Sequence, residues 1–172
     1  IADVLFGDFN PAGRLPFSVP RSVGQIPLYY NKKAPQSHDY VEMSASPLYP
    51  FGYGLSYTSF DYSDLHLSAL TPRSFEISFK VRNTGKYDGE EVTQLYLRDE
   101  YASVVQPLKQ LKHFARFYLK RGEEREVKFI LSEEDFSLVD RNLKRIVEPG
   151  TFQIMIGAAS DDIRLQTKVE IK

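Results

Sequence analysis

Carboxylates and imidazoles are the side chains here that could move protons, and few of them stand where such work would need them. Asp8 lies in a turn-rich run, Gly7-Asp8-Phe9-Asn10-Pro11-Ala12-Gly13-Arg14, near a polar Asn10 and a cationic Arg14. Hydrolysis of a glycosidic bond needs two carboxylates at a set separation, and no partner for Asp8 can be named from spacing. The reading favoured for Asp8 is local: it accepts bonds from backbone donors and holds the turn. His38, Asp39 and Tyr40 form a small polar cluster in an irregular stretch, where binding residues often sit, and are the weak candidates for substrate contact. His66 and His113 fall inside strand patterns and read as ordinary sheet residues. Glu133-Glu134 and Asp161-Asp162 read as cap or turn acids, and Glu123-Glu124-Arg125-Glu126 as a solvated strand end. There is no phosphate loop, metal-ligand spacing or nucleophile elbow, so no catalytic residue, metal ligand or cofactor is assigned. Tyr62, Tyr87, Tyr96, Tyr101 and Tyr118 could include a sugar-stacking platform, although packing in or over sheets is the favoured expectation.

The elements that would position these residues fall into two textures. Pro47-Leu48-Tyr49-Pro50-Phe51-Gly52-Tyr53-Gly54-Leu55-Ser56-Tyr57 mixes turn formers with large apolar side chains. A flexible linker is built from small polar residues. This one has surface to bury, and it reads as a rigid joint glued to a neighbouring body. Before it, Ile1, Val4 and Leu5 mark the end of a helix closed by Gly7. Leu15, Phe17 and Val19 alternate, but Pro16 and Pro20 allow an edge strand at best. Seven of the ten prolines lie between Pro11 and Pro50, so residues 1–57 read as an irregular tail. Such a tail packs on the following domain, on a neighbouring molecule, or poorly.

After residue 57 alternation takes over. Leu65 to Ala69, Phe75 to Val81, Val92 to Leu97, Leu111 to Leu119, Val127 to Leu131, Phe152 to Ile156 and Ile163 to Ile171 supply about seven short strands. Ser132-Glu133-Glu134-Asp135 resembles a capping box and predicts one helical turn. The expected fold is all-β: an immunoglobulin-like, fibronectin type III-like antiparallel sandwich over 58–172, preceded by the irregular tail. The net charge of -1 argues against a nucleic-acid partner. No apolar run approaches the roughly 20 residues of a membrane span.

Two long runs carry a resemblance. Gly7 to Asn31 resembles the closing segment of the α/β sandwich domain of glycoside hydrolase family 3, and Pro47 to Tyr57 resembles that family's joint to a fibronectin type III-like domain. Val81-Arg82-Asn83-Thr84-Gly85, Pro107-Leu108-Lys109-Gln110-Leu111 and Glu148-Pro149-Gly150-Thr151-Phe152 are similar to signatures of that last domain. The resemblance implies a parent retaining exo-β-glycosidase, β-glucosidase-like and periplasmic or secreted. Its nucleophile and acid/base would lie in upstream catalytic domains of the same polypeptide, which would be this segment's partners, with an oligosaccharide as substrate. The segment itself would then be a structural brace without catalytic residues. A β-xylosidase parent and a carbohydrate-binding module are the alternatives. Lys32-Lys33-Ala34-Pro35-Gln36-Ser37-His38-Asp39-Tyr40 departs from the commonest pattern of the family, which bears on the choice between glucoside and xyloside.

Overall fold

The computed structural model describes residues 1–33 and 39–172; His38 therefore lies outside the described residues. Its strands are β1 (Phe60–Thr71), β2 (Ser74–Asn83), β3 (Gly89–Asp99), β4 (Gln110–Leu119), β5 (Glu124–Leu131), β6 (Leu138–Val139), β7 (Arg145–Ile146), β8 (Gly150–Gly157) and β9 (Ile163–Ile171). Seven of them form two sheets, β1-β2-β5 and β4-β3-β8-β9, and β6 with β7 makes a separate ribbon. Every pairing is antiparallel. This is the expected all-β sandwich. The ribbon was illegible in the sequence because strands of two residues carry no period.

The period-two pattern explains the core. Phe75, Ile77, Phe79 and Val81 of β2 are buried, and they meet Leu95, Leu97, Phe117, Leu119, Ile154 and Ile156 of the other sheet. The polar residues between them on β2 face outward, as alternation requires. Strand β3 departs from this rule. Gln94 and Tyr96 point away from the core yet are buried, because the tail covers that face. β1 starts earlier than its alternation suggests and carries an irregularity at Asp64, whose φ is 53° and whose carboxylate pairs with Lys80 at 2.9 Å.

The short elements follow the local rules. The α-helix α1 (Ala2–Phe6) ends at Gly7 with φ 88°, the left-handed cap that glycine adopts freely. Ser132 donates to the Asp135 carboxylate from its backbone N–H at 2.8 Å and from its hydroxyl at 3.0 Å, starting the 3₁₀ turn Glu133–Phe136. Residues 15–19 do not form a strand. They make an isolated ladder with the joint: Val19 N–H donates to Tyr49 O, and Leu15 N–H to Tyr53 O, each at 2.8 Å.

One buried amide ties the end of the sandwich where the tail enters. Asn83 accepts from Thr58 Oγ1 at 2.6 Å and from Gly85 N–H at 3.1 Å, and donates to Tyr87 O at 2.8 Å and Leu119 O at 3.2 Å. Asn83→Ala orphans several buried groups, each worth about 1–3 kcal/mol. We expect a loss of about 3 kcal/mol in the urea unfolding free energy, with an unchanged slope; a loss under about 0.5 kcal/mol contradicts this role.

Candidate functional site

The tail meets the sandwich in two ways. The joint lies on the outer face of the four-stranded sheet. Gln94 Nε2 donates to Gly52 O at 3.3 Å and Ala158 O at 2.5 Å, and Tyr96 OH donates to Gln94 Oε1 at 2.5 Å. Ser160 N–H donates to Phe51 O at 2.9 Å. Tyr30 stacks on Phe51 with ring centres 4.0 Å apart and meets Tyr96 edge-on at 6.2 Å. Gly52 has φ 83°, and a Cβ there would fall 2.2 Å from Gln94 Oε1, so only glycine fits. Leu48, Tyr49, Leu55 and Tyr57 of the joint stay exposed, so the expected gluing is partial on this chain's own surface.

The second contact is a cation inserted between the sheets. Glu91 sits on the core side of β3 and is 1% exposed. Arg14 reaches it from the tail, with Nη2 2.8 Å from Glu91 Oε2, while Tyr62 of β1 donates to Glu91 Oε1 at 2.7 Å. Arg164 stacks over the Tyr62 ring at 4.8 Å and pairs with Asp162 at 2.8 Å. Gly54 makes room for this entry: a Cβ would meet Gly13 O at 2.2 Å and the Arg14 guanidinium at 2.5 Å. Burial pushes the Glu91 carboxyl above its ordinary value against the pull of Arg14, Tyr62 and Arg164. Burial, followed by the Glu91 charge and hydrogen bond, holds the Tyr62 phenol well above its usual value.

A cleft of about 520 Å³ opens beside this pair, lined by Arg14, Arg21, Tyr53, Glu91, Asp161, Asp162 and Arg164 among others. Glu91 and Asp162 are not a free acid pair. Both Glu91 oxygens are occupied and buried, and Asp162 is held by Arg164. A general acid needs reach to a substrate oxygen, which Glu91 lacks.

The sequence candidates scatter. Asp39 accepts from Ala45 N–H at 2.8 Å and Ser44 Oγ at 3.3 Å, and thereby shapes its own loop. Tyr40 is exposed, in an isolated bridge with Met43. Asp8 is exposed on a cleft of about 680 Å³ with Asn10, Tyr57, Tyr87 and Asp88. It makes no hydrogen bond among the described residues, so the expectation that Asp8 holds its turn is corrected. Asn10 does that work, donating to Asp88 O at 2.9 Å and accepting from Tyr57 N–H at 2.8 Å and Ser56 Oγ at 3.1 Å. Asp88 is bonded to Arg121 N–H and Tyr118 OH, which hold its carboxyl below the ordinary value. His113 stacks on Phe129 and lies 3.4 Å from Asp135, as a sheet residue would. Tyr96 is buried and Tyr62 partly buried; Tyr87 and Tyr118 are exposed near Asp88, and Tyr101 is exposed beyond the other end of β3. They do not make one platform. Sequence reasoning missed Arg14 and Glu91 because their pairing joins positions 77 residues apart.

Comparison with known proteins places this arrangement. Residues 1–57 match the glycosyl hydrolase family 3 C-terminal domain, and residues 91–160 match the fibronectin type III-like domain. A periplasmic beta-glucosidase of Salmonella typhimurium is 45% identical over 95% of this chain, and a beta-xylosidase of Formosa agariphila is 44% identical over 95%. The chain spans 23% and 24% of those two relatives. A crystal structure of beta-glucosidase from Listeria innocua superposes on 98% of the chain with a TM-score of 0.90 at 36% identity, the match covering 25% of that protein.

Glu91→Ala leaves the Arg14 guanidinium buried without its partner. We expect it to cost about 3–5 kcal/mol. Arg14→Met with Glu91→Leu should recover much of that loss, read by urea denaturation; equal losses in single and double variants contradict the pairing. The pH dependence has a defined sign. Because the folded-state pKa of Glu91 is raised, its contribution is fully present below the unfolded value of about 4.5 and is lost as pH climbs through the folded value. The Glu91→Gln chain should therefore lack part of the wild-type fall in stability above about pH 4.5.

Proposed function

We propose that this chain, which carries the C-terminal domains of glycosyl hydrolase family 3, braces the catalytic part of a longer β-glycosidase. Residues 1–57 act as the closing tail and joint, and residues 58–172 as the sandwich that holds them. The parent removes terminal β-linked glucosyl residues. A β-xylosidase parent is the second reading, favoured by the Formosa agariphila relative of nearly equal identity. In this reading the parent works in the periplasm or outside the cell, which the name of the Salmonella relative supports. No helix among the described residues is long and apolar enough to cross a membrane.

One observation carries the reading: the tail is fastened on one side and bare on the other. Arg14, Asn10 and Phe51 tie it to the sandwich. Leu5, Phe6, Phe9, Phe17, Val23 and Ile26 are each more than half exposed, with Phe6 at 84% and Val23 at 86%. Exposed apolar surface on this scale marks an interaction site. Covering it would contribute about 25 cal/mol for each Å² buried. Family resemblance and the short share of each relative's length indicate what covers it: the remainder of the same polypeptide.

The test is turnover. The purified chain should not hydrolyse nitrophenyl β-D-glucoside or β-D-xyloside, whereas the full parent should hydrolyse one of them. Phe6→Asp together with Val23→Asp in the parent should lower its thermal midpoint and leave the isolated chain's own midpoint nearly unchanged. Turnover by the isolated chain that survives Asp8→Asn would overturn the assignment.

A further inference from the structure

β4 carries a residue that its ladder does not use. His113 pairs with Leu95 and Leu111 with Tyr96, so Lys112 is an extra residue opposite β3. A bulge of this kind re-aims a side chain. Here it brings Lys112 to a cleft of about 490 Å³ bounded by residues 104–107, the turn at Glu134 and the β6–β7 ribbon. This cleft lies toward the opposite end of β4 from Phe117, the residue that pairs with Glu91.

The charge in that cleft is lopsided. Lys33, Lys112 and Arg145 line it against a single carboxylate, Glu134, and Gln106 and Gln110 add side-chain amides. Arg145 is loosely engaged, 3.5 Å from Glu134 Oε1 and 3.4 Å from Ser137 Oγ. Lys112 is half-buried, and its ammonium has no hydrogen bond or ion pair among the described residues. An ammonium taken partly out of water without an acceptor is unfavourable. Burial is the main cause holding its pKa below the ordinary lysine value; Asp135 and Glu134 act against that lowering and Arg145 adds to it.

We propose that this cleft binds an oxyanion, a carboxylate or phosphate, with Lys112 as the central donor and Arg145 and Lys33 at the rim. Such a group accepts the hydrogen bonds that Lys112 lacks within the fold. The Arg145 guanidinium offers a planar fork that suits both anions. Gln106 and Gln110 can serve hydroxyl groups if the anion is carried on a sugar.

The experiment is an NMR titration of the isotope-labelled full chain with inorganic phosphate, glucose 6-phosphate, glucuronate and, as the neutral control, glucose. The charged probes should shift the amides of residues 110–113 and 145 saturably, and added salt should weaken the effect. Lys112→Met should weaken binding about tenfold. Should that variant misfold, Arg145→Gln, on the exposed rim, should weaken it several-fold. Equal responses to phosphate and the sugar acids identify the free ion as ligand, and a stronger response to glucose 6-phosphate or glucuronate identifies an acidic sugar; both support the site. No saturable response, an equal response to glucose, or unchanged affinity in the variants that fold overturns it.

Discussion

The Arg14 cation, reaching from the tail to a buried carboxylate of the sandwich, is the contact on which the rest of the structure depends. The Arg14–Glu91 pair joins the irregular tail to the sandwich where Tyr62 of one sheet and Glu91 of the other converge. Taking both charges out of water is costly, and the raised carboxyl of Glu91 records that cost. The pair is therefore a weak source of net stability and a strong source of register. With Glu91 buried, the tail can approach in few ways that pair both charges, and even here Arg14 Nε is buried without a hydrogen bond among the described residues. Arg14 selects one, and in it Gln94, Ser160 and Tyr30 also contact the joint.

Once the tail is set in register, its free face becomes a consequence. The residues that touch the sandwich are polar groups, backbone groups and the ring of Tyr30; Leu5, Phe6, Phe9, Phe17 and Val23 stay exposed. A short helix such as α1, with every residue but Val4 exposed, gains little from its own hydrogen bonds in water. The geometry makes sense if the sandwich presents the tail to another body. The proposed bracing role needs this combination: a stiff core on one side, a committed linkage in the middle and an uncovered apolar face on the other.

Much of the sandwich was legible because burial on one face imposes a period of two, as on β2. The pattern blurred where that condition failed. On β3, Gln94 and Tyr96 are buried beneath the joint, so both faces of the strand are covered and alternation no longer separates inside from outside. The joint itself was readable from its composition, and Gly52 and Gly54 prove necessary through close approach to Gln94 and Arg14. The site was less legible. Asp8 drew attention as a carboxylate in a loop, yet the loop is held by Asn10. Arg14 and Glu91 gave no local sign, because a long-range ion pair has no sequence period and each residue alone reads as surface charge. Lys112 stands in the same class, since the bulge that aims it depends on the register of a neighbouring strand.

The central claim is that tail and sandwich form one cooperative body without any other domain. Amide hydrogen exchange on a dilute monomer tests it most directly. The account predicts that the tail-to-joint donors at Leu15, Val19 and Gly52 are protected to nearly the level of the β2 amides. Exchange of those three at the rate of an open chain, while β2 stays protected, would contradict it.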